Sequence, residues 1–372
     1  MNRDDVIPFK IALLATGDEI CQGDILNTNS KEIAQLLMTA GMEPYLQATA
    51  PDAINEIEAT MRFLLGTHQA LITTGGLGPT SDDLTRFALA KVINKELAFH
   101  EPTWNAISNR LKNFGYTVPP DSNRQQALFP ADATIIPNKN GTAAGCYIKM
   151  NNQFIFMLPG PPMECLPMIN EVVLPTLMEA GFQQASYRKK WLMFGVSEGK
   201  IAEELDELTK PYSGITGYRL WYPYIEFKFH TNSKSEFEKV TALVETAIKP
   251  YLFDDGQLSA SVKLQQRLAN IKTRLQITDH ATFGALQFAL TTPANFAHVV
   301  FSDKTDAGNA CIRVEGLQEL WQGQLDAKQT ELKITLPTQE IKLTIPFRGK
   351  RVVQYAVELI CHHINNFIDA TG

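Results

Sequence analysis

Leu71-Ile-Thr-Thr-Gly-Gly-Leu-Gly-Pro-Thr-Ser-Asp-Asp-Leu-Thr85 is the stretch on which the reading of this chain turns. Apolar residues that read as a buried strand end in two hydroxyl residues. Three glycines follow within four positions, at Gly75, Gly76 and Gly78. Thr80 to Asp83 then has capping-box spacing and predicts a helix running through Phe87, Leu89 and Val92. Glycine lets backbone N–H groups approach a ligand without an obstructing Cβ. A helix N-terminus adds unsatisfied N–H groups and a positive partial charge. Strand, glycines and helix together predict a cradle for a phosphate. Asp82 and Asp83 would repel a bare phosphate and make sense with a divalent cation between them and it. A Gly-rich turn capped by Thr80 and Asp83 is the other reading of the same residues.

The surrounding sequence repeats this alternation. Ile11 to Ala15 is a continuous apolar run, as expected of a strand covered on both faces. Ile33, Leu36 and Leu37 follow the capping pair Asn29-Ser30 at helical spacing, and Ile54, Ile57, Met61 and Leu64 do the same after Asp52. Such alternation predicts an α/β domain with a mainly parallel sheet, whose ligands sit at the carboxyl ends of strands. Three further loops fall in that region. Ala15 to Gly23 carries Asp18 and Glu19, Pro137 to Gly145 carries Thr142, and Leu158 to Glu164 carries a Pro-Gly-Pro-Pro turn.

The whole chain has 372 residues, which suggests two to three domains of roughly 150 residues. Its 44% hydrophobic and 20% charged residues are those of a globular protein and exclude disorder as the main state. The 34 basic against 40 acidic residues leave a net charge of -6, which argues against a nucleic-acid binder. Cys21, Cys146, Cys165, Cys311 and Cys361 form no C-x-x-C pair, so reduced thiols and a cytoplasmic location are expected. No apolar run is long enough for a signal h-region or a membrane span.

From about Tyr187 the pattern changes to a small α+β unit. Trp191–Phe194 and Tyr224–Phe229 read as strands, Lys200–Leu208 and Phe237–Ile248 as helices. The last segment opens with a helix through Val262, Leu264, Leu268 and Ile271 and ends in an amphipathic helix through Val353, Ala356, Leu359 and Ile360. The adjacent His362 and His363 point to different sides of that helix and read as surface residues rather than a metal pair.

Thr16-Gly-Asp-Glu19, Asp24-Ile-Leu-Asn-Thr-Asn-Ser30, Thr73 to Thr85, Ser122-Asn-Arg-Gln-Gln-Ala127, Asn140-Gly-Thr-Ala-Ala144 and Pro159-Gly-Pro-Pro-Met-Glu164 resemble, in order, the CinA family of competence/damage-inducible proteins. The resemblance implies a MoaB/MogA-like three-layer α/β/α domain over 1–172, a small α+β KH-like domain over 173–256 and a truncated α/β deamidase-like domain over 257–372. It further implies metal-dependent hydrolysis of the pyrophosphate bond of ADP-ribose or a related nucleotide, giving AMP and ribose 5-phosphate. The alternatives are a pterin- or molybdopterin-binding or transferase module, and a non-enzymatic assembly protein. In the hydrolytic reading Asp83 and the weaker candidate Asp52 are catalytic. Thr73, Thr74, Gly75, Gly76, Gly78 and Thr142 hold phosphate, and Glu19 and Glu164 orient the substrate. Asp83, Asp82 and Asp18 hold a divalent metal, Mg, Mn or Co, with K as a further candidate. A small-molecule nucleotide and a second copy in a homodimer are the expected partners, with no nucleic acid and no membrane. RNA binding does not carry over to the middle domain, because Gly195-Val-Ser-Glu-Gly199 is not a G-x-x-G loop and the 10 basic and 9 acidic residues between Tyr187 and Pro250 nearly cancel.

The resemblance weakens toward the C-terminus. Full members carry a nicotinamide mononucleotide deamidase domain with an E-S-x-T-G-G loop. Here Asp279-His-Ala-Thr-Phe-Gly284 stands in its place, with His280 at the nucleophile position and Phe283 replacing a glycine. A bulky Phe would crowd a backbone anion cradle. The expectation is a degenerate domain whose deamidase activity is lost.

Overall fold

The computed structural model describes residues 9–271, 274–304, 310–324 and 326–371. They form two compact units, one ending at Ser186 and the other beginning at Tyr187.

In the first unit the chain runs β1 (Ile11–Thr16), α1 (Asp18–Cys21), α2 (Thr28–Thr39), β2 (Pro44–Ala50), α3 (Ile54–Leu65), β3 (Ala70–Thr74), α4 (Thr85–Val92), β4 (Leu97–Phe99) and α5 (Glu101–Asn113). It continues through β5 (Leu128–Pro130), β6 (Thr134–Ile136), β7 (Gly145–Met150), β8 (Gln153–Leu158), α6 (Pro162–Met168) and α7 (Leu174–Glu179). The main sheet has the order β2-β1-β3-β8-β7-β6. Its first four strands are parallel, and β7 and β6 add antiparallel to that edge. The apolar run of β1 is explained by its two covered faces. Ala12 and Leu14 pack with Ile57, Met61, Leu64 and Leu89. Ile11 and Leu13 pack on the other side with Ile33, Leu37, Ile169 and Val173. Helices therefore cover both faces of the sheet, and the expected three-layer α/β/α order is present.

This strand order creates a crevice. From β1 the chain moves to β2 on one side, then crosses to β3 on the other side of β1. The loops leaving β1 and β3 diverge at their carboxyl ends, which is where open α/β sheets bind ligands.

Two helix starts differ from the sequence reading. Helix α2 is capped by Asn27, whose side chain accepts from the Ser30 N–H at 3.0 Å, and not by Asn29-Ser30. Helix α4 begins only at Thr85, so Thr80 to Asp83 belong to the preceding loop. The expected boundary at residue 172 falls within the helical run that carries α6 through Ile169–Val173 into α7.

The second unit opens with β9 (Tyr187–Phe194), α8 (Glu198–Thr209), β10 (Ile215–Trp221), β11 (Tyr224–Thr231) and α9 (Lys234–Ile248). Its antiparallel sheet, in the order β10-β11-β9, packs Trp191, Phe227 and Phe229 against Ile201, Leu205, Val240 and Val244. There follow α10 (Ala260–Leu268), β12 (Leu275–His280), α11 (Ala285–Leu290), β13 (Val299–Phe301), β14 (Ala310–Gly316), α12 (Gln318–Trp321), β15 (Gln329–Thr335), β16 (Glu340–Pro346) and α13 (Arg351–Thr371). Ile271 lies beyond the end of α10. The five strands take the order β13-β12-β14-β15-β16, and Val352, Ala356, Ile360 and Ile364 of α13 enter their core. Glu358 of α13 accepts from the Ser261 N–H at 3.1 Å and from the Tyr224 hydroxyl at 2.7 Å. It thereby ties β11, the start of α10 and α13 together. Among the described residues no helix is long and apolar enough to cross a membrane.

Leu14 is 1% exposed in the centre of the sheet. Leu14→Ala should lower the stability of the protein by about 2–5 kcal/mol through lost transfer energy and the cavity left behind. Urea unfolding measures this, and a change below about 1 kcal/mol would contradict the packing described.

Candidate functional site

The crevice is a cavity of about 590 Å³. The ends of β1 and β3 form its floor, with Thr16, Gly17 and Thr74. Residues 75–80 and 82–83 line one wall. The segment 25–29, the 142–143 turn and the Pro159–Pro162 turn, with Glu164, complete it.

The glycine loop is shaped first by packing. Gly75 has φ +102°, and a Cβ there would lie 2.5 Å from the Thr16 carbonyl oxygen. Gly76 has φ +65°, and a Cβ there would collide with the Thr85 hydroxyl. Thr16 and Thr85 meet behind the loop with their hydroxyls 3.0 Å apart. Any larger residue at 75 or 76 would push the loop off this pair of threonines.

The fate of each amide then decides what the loop can bind. The Gly75 N–H donates to Leu158 O at 3.1 Å, and the Gly78 N–H donates to Asp83 Oδ1 at 2.6 Å. Among the described residues, the Gly76 and Leu77 amides have no protein acceptor, and both residues line the crevice. The cradle is thus narrower than the three glycines suggested. Of those amides only that of Gly76 lacks a protein acceptor, and that of the buried Leu77 is a second without one.

Sequence reasoning missed the charge under this loop. Arg86, in the first turn of α4, is 2% exposed and donates to Leu77 O and Gln125 O. Its Nε is buried without a partner. Burial pulls its pKa down to about 10, against the opposing effect of the Asp83 charge, so it stays cationic at neutral pH. A buried guanidinium behind open amides gives the loop a positive potential. Only the position of Arg86 one residue into a helix, after a glycine loop, could have signalled it.

Asp83 locks the loop rather than capping the helix. Its carboxylate accepts from the Gly78 N–H, from the Thr80 N–H at 2.8 Å and from the Thr80 hydroxyl at 2.5 Å. Thr73 is fully buried and donates its hydroxyl to Phe156 O at 3.2 Å, so it points into the sheet and not into the crevice. Thr74 does line it. Thr142 lines it and accepts from Gln126 Nε2 at 3.2 Å. Glu164 lines it and accepts from Asn138 Nδ2 at 2.6 Å. Asn29, which the sequence reading used as a cap, instead donates to Gly160 O and joins the 25–29 segment to the Pro-Gly-Pro-Pro turn.

The rim is acidic. Glu19, Asp52 and Asp82 line the cavity, whereas Asp18 does not. Asp18 and Asp52 cross-bond, each carboxylate accepting the other's backbone N–H, at 3.1 and 3.0 Å. Partial burial pushes the Asp52 carboxyl above the ordinary range. The charges of Asp18, Glu19 and Asp82 add to this, and the backbone hydrogen bond from Asp18 opposes it. Asp83 and Asp18 are therefore both engaged within the protein. Among the described residues no three acidic, histidine or cysteine side chains converge as a metal site. Asp83, Asp82 and Asp18 do not fit a preformed metal cage.

In the second unit His280 is exposed at the end of β12, with Nε2 2.8 Å from Asp303 Oδ1. Phe283 is 80% exposed and stacks on Trp321 at 4.2 Å. Asp279 is taken up by the Ala281 and Thr282 amides and the Thr282 hydroxyl. His362 and His363 are half-buried rather than on the surface, because His362 stacks on Phe253 at 4.0 Å. Burial holds both below the usual histidine value.

The profile of a family described as a probable molybdopterin binding domain matches residues 12–179. A putative competence-damage inducible protein of Clostridium acetobutylicum is 32% identical over 290 residues, covering 75% of this chain and 69% of that one. A CinA-like protein of Geobacter metallireducens is 30% identical over 320 residues, covering 84% and 77%. Among solved structures, the protein CinA of Thermoplasma acidophilum is 27% identical, covers 46% of this chain and 97% of that chain, and superposes with a TM-score of 0.41.

Asp52 makes stability depend on pH with a defined sign. Its folded pKa is raised, so its contribution is favourable below the unfolded value and is lost as pH rises through the folded one. Asp52→Asn keeps an acceptor for the Asp18 N–H and removes the charge. The variant should melt higher than the parent at pH 7, and the difference should vanish as pH falls below the unfolded carboxylate value, to about 3. Thermal unfolding at both pH values checks this; a variant less stable at pH 7 would contradict it.

Proposed function

The chain belongs to the family of CinA-like, competence-damage inducible proteins, and from that premise we propose that the crevice of its first unit binds a pterin phosphate of the molybdopterin type. The observation that carries this reading is the pair of open amides at Gly76 and Leu77 over the buried Arg86 guanidinium. Two donors and a fixed positive charge suit a phosphate ester. The acidic rim has the complementary role. A pterin ring presents a row of N–H donors on its aminopyrimidinone edge, and Glu19, Asp52 and Glu164 are carboxylates in the same cavity that can accept from them. A molecule with an anion at one end and N–H donors at the other matches both walls. The match of residues 12–179 to a probable molybdopterin binding domain supports the same ligand class.

A second reading is hydrolysis of ADP-ribose or a related nucleoside diphosphate, to AMP and ribose 5-phosphate. It is favoured by Asp52 alone, a carboxylate in the cavity whose pKa is raised by partial burial and neighbouring carboxylates, as suits a group that accepts a proton from water. A divalent cation in that reading would arrive with the diphosphate, since such ions are commonly held by substrate phosphates and one or two carboxylates. Neither reading draws on the second unit, where Asp279, His280 and Phe283 are engaged with neighbouring residues.

Fluorescence titration of the purified protein with a pterin monophosphate tests the proposal. Saturable binding that inorganic phosphate competes away is the expected result. In parallel, ADP-ribose is incubated with protein and Mg, Mn or Co, and AMP is measured. No pterin binding together with metal-dependent AMP release would replace the proposal with the second reading. Absence of both would remove the crevice as a functional site.

A further inference from the structure

Resting on the pterin phosphate reading, we infer that the Ile25–Leu26 lip of the crevice holds the flat face of the ligand's ring and selects a heteroaromatic phosphate over a phosphosugar. Ile25 is 52% exposed and Leu26 85% exposed, yet both line the cavity. Neither belongs to the cores of this unit. They stand beside Ile20, Pro79, Pro159 and Pro161 in the same lining, and exposed apolar side chains grouped at a cavity mark a binding surface.

The lip is held in place. The Asp24 and Ile25 N–H groups both donate to Glu19 O, at 2.9 and 3.3 Å. The Thr28 N–H returns to Leu26 O at 2.8 Å. The Asn27 side chain caps α2, and Asn29 fastens the segment to Gly160. The backbone is thus fixed on both sides of two side chains with no apolar partner in the cores. A sugar, rich in hydroxyls, gains nothing from isobutyl and sec-butyl groups. A flat π system loses water from both its own face and theirs. The occupant is therefore a ring, continuous with the phosphate held at Gly76 and Leu77.

The test is the double variant Ile25→Ser/Leu26→Ser, at exposed positions where folding is not at risk. Affinities are measured for a pterin monophosphate, ribose 5-phosphate and inorganic phosphate, with parent and variant side by side. The expected result is about a tenfold or greater loss for the pterin monophosphate and less than a twofold change for the other two. Equal loss for all three, or no loss for the pterin monophosphate, would overturn the lip while leaving the cradle reading intact. A parent protein that fails to bind the pterin monophosphate would overturn both. Light scattering of parent and variant gives a separate check. An unchanged mass is expected, and conversion of a dimer to monomer would make the lip a contact between copies and overturn the assignment.

Discussion

The guanidinium of Arg86, buried beneath a loop only glycines can form, is the constraint on which the rest of the site depends. Its Nη2 and Nη1 groups hold Leu77 O and Gln125 O from behind. With those carbonyls drawn inward, and Gly75 and Gly78 spent on Leu158 and Asp83, the loop keeps two amides open. A buried charge is tolerated only when its surroundings compensate it. Here the compensation is two carbonyls and the nearby Asp83, with Nε left over. An anion at the loop would complete that compensation. The threonines at 16 and 85 fix how close the loop lies to the sheet, and thus where the anion would sit.

Much of the fold was legible because its signals are local. The apolar run at Ile11–Ala15 means a strand with two covered faces, and the helical spacing of Ile54, Ile57, Met61 and Leu64 means one apolar stripe. The crevice was legible too, since loops at strand ends follow from alternation. Hydrogen-bond accounting was not. Three glycines suggest three open amides, but whether an amide is open depends on distant residues such as Leu158. Thr73 and Thr74 look equivalent in sequence, yet the period of two along a strand sends Thr73 toward Phe156. Asp83 has the spacing of a cap but serves a loop that ends before the helix. Arg86 reads as an ordinary helix residue, because burial is a tertiary property.

The two units contrast in what their polar groups do. In the second, Glu358, Tyr224 and Ser261 satisfy one another and join three elements. Asp279, which lies where a nucleophile loop was sought, holds its own turn together. In the first, several polar groups at one crevice remain open, with a buried guanidinium behind the loop and carboxylates in the lining. Open polar groups concentrated in one cavity are what binding requires and stability does not.

The most direct test of this account is amide NMR of the protein during titration with inorganic phosphate. The account predicts that the Gly76 and Leu77 amide resonances shift along one saturable curve, while those of Gly75 and Gly78, already bonded to Leu158 and Asp83, stay nearly still. Saturating phosphate that leaves Gly76 and Leu77 unmoved, or that moves only amides outside the crevice, would contradict it.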